Sequence, residues 1–146
     1  MEASQLGTFA RGSAWAYPAA NLIHLLGLVL LLGGIGVVDL RIIGAFRTLP
    51  VDSVIRALTP LAICGLVLLA LSGPVLFAAD AVALSRSDVF ARKLVLIGIA
   101  LLNALCFRWI RRGRSGEAGV LERVVALASI LLWLSVAALG RLIAYS

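Results

Sequence analysis

Residues 17–41, YPAANLIHLLGLVLLLGGIGVVDLR, decide the fold. Between Asn21 and Asp39 the sole polar side chain is His24, the only histidine in the chain. At ~1.5 Å of rise per residue, the apolar run over about 19–40 is long enough for a hydrocarbon core ~30 Å thick. Lipid offers the backbone no hydrogen bonds, so an unbroken apolar run of this length predicts a helix.

Composition says the same of the whole chain. Its 146 residues are 62% hydrophobic, with a mean hydropathy of +1.10. Soluble domains hold roughly 45–50% apolar residues. A chain this short has too little interior to hide the excess. The bilayer is therefore the expected solvent. The net charge of +6 does not indicate nucleic acid. The basic residues lie between apolar runs, where they read as loop anchors and contacts to anionic lipid. Cys64 and Cys106 form no CxxC pair, lie inside apolar runs, and read as small packing residues. The first run is followed by no small-x-small cleavage site, so it reads as a retained anchor.

Further spans are expected over about 58–79, 90–109 and 121–144. Pro60 is expected in the first turn of the second span, with Pro74 inside it. Residues 1–17 read as a short interfacial helix, with Trp15 and Tyr17 at headgroup level, broken at Pro18. The predicted fold is all-α: one domain over 1–146, an antiparallel bundle of four transmembrane helices preceded by that interfacial segment. Eight basic residues fall on the side of the first and third loops and five on the other. This places both termini outside and the RWIRRGR loop in the cytoplasm of a bacterial inner-membrane protein. Asp39 and Arg41 then mark and anchor the cytoplasmic end of the first helix.

Depth and face select candidate site residues. His24 lies roughly 8 Å into the outer leaflet, and Lys93 lies at comparable depth in the third span. Tyr17 and Asn21 sit just above His24. Asp80, Arg92 and Arg141 are placed for outer-face ion pairing. At ~100° per residue His24, Gly27, Leu31 and Gly34 form one stripe, and its glycines suit a closely approaching helix. Lys93, Ile97, Ala100 and Ala104 form another, while Arg92 points elsewhere. Asn103 reads as helix–helix glue. Cys64 and Cys106 fall in the inner half, away from His24, which argues against a His/Cys metal site.

With RALTPLA and SGPVLFAADAVAL following it, the opening stretch resembles an uncharacterised bacterial family of small integral membrane proteins. The helix-one histidine, the Gly33-Gly34 pair and the lysine opening the third span are also similar to a wider four-helix group. That group includes copper-resistance protein D and the HemJ-type membrane protoporphyrinogen oxidase. The HemJ resemblance implies roles at a haem site for His24 and Lys93. Leu32 stands where copper-resistance protein D commonly has tryptophan before the glycine pair.

Three functions stay open. The first is a b-type haem or related redox cofactor bound by His24, with Lys93, a water, a second copy or a partner supplying the other ligand. The second is copper or small-solute handling, with His24 as the metal ligand. The third is a non-catalytic subunit of a larger membrane complex. The sequence shows no nucleophile–base pair, phosphate loop or paired carboxylates, which argues against an enzyme of soluble type.

Overall fold

The computed structural model describes residues 15–79, 81, 85 and 87–143. Among them are four α-helices and no strand: α1 (Ala16–Ile43), α2 (Val51–Ala79), α3 (Asp88–Ile110) and α4 (Val120–Ile143). All four are long and apolar enough to cross a membrane. Each leaves large apolar side chains outside, as Val29 (68% exposed), Leu71 (68%), Leu102 (66%) and Leu131 (60%) illustrate. Water would penalise those surfaces and lipid does not. The pattern is that of a multi-pass membrane protein.

The helices differ from expectation at their starts. The interfacial helix falls mostly on residues 1–14, outside the described residues. The expected break at Pro18 does not occur, because α1 begins at Ala16 and runs straight through it. Ala19 N–H already bonds the Trp15 carbonyl. Pro18 therefore sits in the first turn, where its missing N–H had no intrahelical partner to lose. Helix α2 begins at Val51, well before Leu58, so Pro60 and Pro74 both lie inside it. The extra turns are amphipathic. Val51 and Val54 are buried in a cluster with Val38, Ile42, Ala118 and Ala126, and Ile55 and Leu58 pack against it. Asp52 in that first turn also complements the positive end of the helix dipole.

The end of α1 is set by Gly44. Its φ of 126° is closed to most L side chains. Ala45 N–H reaches the Leu40 carbonyl (2.9 Å) and Gly44 N–H reaches that of Arg41 (3.2 Å). This is the paired bonding of a Schellman cap.

The chain divides into two compact units, Met1–Gly34 with Pro60–Ser87, and Ile35–Thr59 with Asp88–Ser146. In the first, α1 meets α2 backbone to backbone. A Cβ at Gly65 would lie 2.5 Å from Leu31 N and 2.6 Å from Gly27 O, and one at Gly27 would lie 2.9 Å from Gly65 O. Those atoms are main chain and cannot yield cheaply. In the second unit α3 packs against α4. Ala100 is fully buried there, and Asn103 Nδ2 donates to the Val125 carbonyl at 3.2 Å. Asn103 thus ties two helices together.

The cysteines do not pack as expected: Cys64 and Cys106 are both exposed free thiols. Their positions fall on outward faces of α2 and α3, where a small apolar side chain meets lipid.

Gly65→Ala should destabilise the chain by about 1–3 kcal/mol through overpacking. Gly33→Ala, where an added Cβ meets nothing within 4 Å, should be neutral or slightly stabilising. Thermal unfolding in detergent, followed by the helical circular-dichroism signal, checks both.

Candidate functional site

Two polar centres stand out in the apolar chain, one in each unit. The first is built on the close crossing of α1 and α2. His24 lies one turn before Gly27 on α1, and Ser72 lies two turns after Gly65 on α2. His24 Nδ1 meets Ser72 Oγ at 2.9 Å. The Ser72 hydroxyl donates in turn to the Leu68 carbonyl at 2.6 Å. A hydroxyl has one proton, so Ser72 accepts from His24 and the imidazole proton lies on Nδ1. In the neutral ring Nε2 is then the acceptor nitrogen. Ser72 is buried (3% exposed) and His24 half-buried. Gly73 keeps the wall beside the ring low, since a Cβ there would stand 3.9 Å from His24 Cε1.

The other expected site residues distribute as follows. Tyr17 and Asn21 precede His24 on α1 and are exposed. Lys93 belongs to the other unit, half-buried on α3. Its Nζ lies 3.3 Å from where a Cβ at Gly140 of α4 would be, so the glycine makes room for the lysine's end. Arg92 and Arg141 are both exposed. Asp80 lies outside the described residues. No group of three or more His, Cys, Asp or Glu side chains gathers to hold a metal among the described residues.

The second centre joins α1, α2 and the loop between α3 and α4. Arg41, expected as an interfacial anchor, is instead buried at 2% exposure. Its Nε donates to the Leu49 carbonyl at 2.6 Å. Its two terminal nitrogens reach Glu117 at 2.7 and 3.4 Å. Arg111 bonds Asp52 (2.6 Å) and Glu122 (3.2 Å), and also the Gly116 carbonyl at 2.5 Å. Burial alone would lower the pKa of Arg111. Its bonds to Asp52 and Glu122 and their charges outweigh that and hold it above its ordinary value. Gly116, at a φ of 90°, also donates its N–H to Asp52 at 2.9 Å. Glu122 does double duty, because it accepts from Gly119 N–H at 2.6 Å and so caps the start of α4.

Asp39, the other expected anchor, is also buried (6% exposed) and takes a hydrogen bond from Ser129. Both residues do mark the end of α1, with Arg41 in its last turn, but both are covered by protein. Each has a partner from further along the chain, Glu117 for Arg41 and Ser129 for Asp39, and packing against those segments covers both side chains. The remaining arginines of this region, Arg47, Arg56, Arg108, Arg112, Arg114 and Arg123, are exposed.

Ser72 gave no sequence signal beyond its place before Gly73-Pro74. The arginine network did give one. Asp52, Glu117 and Glu122 fall on the arginine-rich side of the chain and needed counting as partners, not only as reductions in net charge.

The chain belongs to a family of unknown function (DUF6644), whose model matches residues 1–146. No curated protein and no solved structure matches it.

Glu122→Gln should cost about 1–3 kcal/mol, since it weakens a buried ion pair and the α4 cap together. Glu117→Gln should cost less than about 1 kcal/mol, because the Glu117 side chain is 70% exposed. Unfolding of the two variants in the same detergent measures the difference.

Proposed function

We propose that this is an antiparallel four-helix protein of the bacterial cytoplasmic membrane, with both termini outside, in which His24 is the protein ligand of a b-type haem or related redox cofactor. One observation carries the reading. The Ser72 hydroxyl, itself committed to Leu68, fixes the imidazole proton on Nδ1. An axial ligand needs the other nitrogen deprotonated and its ring held in one orientation. The pair supports the reading because it orients the ring and leaves Nε2 as the acceptor nitrogen of a neutral imidazole, and both residues stand on helices held at a glycine crossing.

When bound, the haem would supply one-electron chemistry. This chain's residues would supply one imidazole, a fixed tautomer and an apolar surround. The resemblance to copper-resistance protein D and the HemJ-type group supports His24 in this role, with Lys93 as the second group. Tyr17 and Asn21, which precede His24 on α1, would line the approach. Asp80, Arg92 and Arg141 would pair at the outer face. One histidine supplies one axial ligand, so Lys93, a water, His24 of a second copy or a partner protein completes the set. Copper handling is the weaker reading, because the described residues gather no ligand cluster.

A second reading is a non-catalytic subunit of a larger membrane complex. It is favoured by how the chain spends its buried charges: Arg41, Arg111 and Glu122 all go to holding helices and a loop together.

Protein purified from haem-replete cells should show a Soret band that His24→Ala abolishes, while Ser72→Ala weakens haem retention without removing it. A colourless wild-type preparation that travels with a larger enzyme would favour the subunit reading. A colourless protein on its own would end the haem proposal.

A further inference from the structure

The loop that joins α3 to α4 shapes a hollow that the His24 reading does not use. It has a volume of about 270 Å³ and is lined by Arg111, Arg114, Ser115, Glu117, Gly119 and Glu122. The helices on either side are both membrane spans, so the hollow lies at one membrane surface. One wall is firmly built. The Arg111 side chain is 9% exposed, and its terminal nitrogens bond Asp52, Glu122 and the Gly116 carbonyl. Glu117 is tied to the buried Arg41.

The lining carries both signs of charge, and its hydrogen bonds decide which sign is available. Both oxygens of Asp52, of Glu117 and of Glu122 already accept bonds, from Arg41, Arg111, Gly116 or Gly119. The Arg114 guanidinium and the Ser115 hydroxyl are exposed and bond no other described residue. What remains on offer is a guanidinium fork and a hydroxyl, a set that suits phosphate oxygens. The wider field agrees, since residues 108–123 hold five arginines against two glutamates. Exposed apolar residues stand on both sides, Trp109 (77% exposed) on α3 and Val120 (80%) with Leu121 on α4. A phosphate carried on a lipid brings acyl chains to meet them, and a free phosphate does not.

We propose that this hollow binds the phosphate group of an anionic phospholipid, held by the Arg114 guanidinium and the Ser115 hydroxyl. The ion pairs of Arg41 and Arg111 shape the loop and occupy its acids, which leaves Arg114 and Ser115 to take the ligand. A zwitterionic lipid carries the same phosphate together with an ammonium group, which the surrounding arginines repel. Net charge therefore selects the anionic lipid. Arg112 and Arg123 are exposed but do not line the hollow, so they attract the same lipid only at longer range.

The test is native mass spectrometry of the full chain in uncharged detergent, titrated with phosphatidylglycerol or with phosphatidylcholine. The wild type should hold one phosphatidylglycerol in preference to phosphatidylcholine, and keep it through a wash in inorganic phosphate. Arg114→Ala removes a side chain that bonds no other described residue, so the helical circular-dichroism signal should not change. It should weaken the bound lipid by about tenfold or more. Arg112→Ala and Arg123→Ala should each weaken it by about fivefold or less. Equal retention of the two lipids by the wild type would overturn the proposal, whether or not the variants fold. So would an equal loss from Arg112→Ala, the mark of a diffuse basic surface. Displacement by inorganic phosphate would give the hollow to a free anion and overturn the lipid as its ligand.

Discussion

The first unit depends on two helices touching at their main chains. Gly27 and Gly65 bring α1 and α2 so close that neither position has space for a methyl group. Close approach of this kind is how helices gain packing energy in lipid, where apolar side chains alone give no preference for protein over solvent. It also fixes what lies one or two turns away. His24 and Ser72 meet because the glycines set the separation of their helices. A wider crossing would leave the imidazole facing lipid, at a cost that would select against a histidine in the run at all.

The second unit handles polarity differently. Its arginines Arg41 and Arg111 are engaged inside the unit, Arg41 on a carbonyl and Glu117, Arg111 on Asp52, Glu122 and Gly116 through its terminal nitrogens. The loop between α3 and α4 is thereby tied back onto α1 and α2, and α4 starts where Glu122 caps it. Six exposed arginines remain in the same region. They are the ones able to meet anionic headgroups, so the basic excess of the sequence divides into a structural part and a surface part. Asp39 belongs to the structural part, although its second oxygen keeps a hydrogen-bonding demand that no described protein group meets.

Much of the architecture was legible because it rests on hydrophobic length. Runs near 20 residues declare helices whatever their neighbours. The His24–Gly27–Leu31–Gly34 stripe was legible because glycine in a membrane helix has few uses other than close approach. Helix starts were less so. Pro18 and Pro60 read as boundaries by local rule, yet the first turn absorbed one, and an amphipathic extension packed by Val51 and Val54 placed the other inside a helix. The burial of Asp39 and Arg41 was not legible for a related cause. Charges at a helix end look like interfacial anchors until their partners are known, and those partners, Ser129 and Glu117, lie about 90 and 76 residues on. The His24 partner was hidden for the same reason, since Ser72 is 48 residues away. Pairings at such separations leave no periodic trace in one sequence.

The reading of the first unit turns on the His24 imidazole being held by Ser72 with its proton on Nδ1. A single histidine makes the claim directly measurable, since its two ring nitrogens give the only imidazole signals in ¹⁵N spectra of the labelled protein. With no cofactor bound, the account predicts a protonated Nδ1 and a bare Nε2 at neutral pH, with the preference weakened in Ser72→Ala. A proton on Nε2, or on both nitrogens, would contradict it.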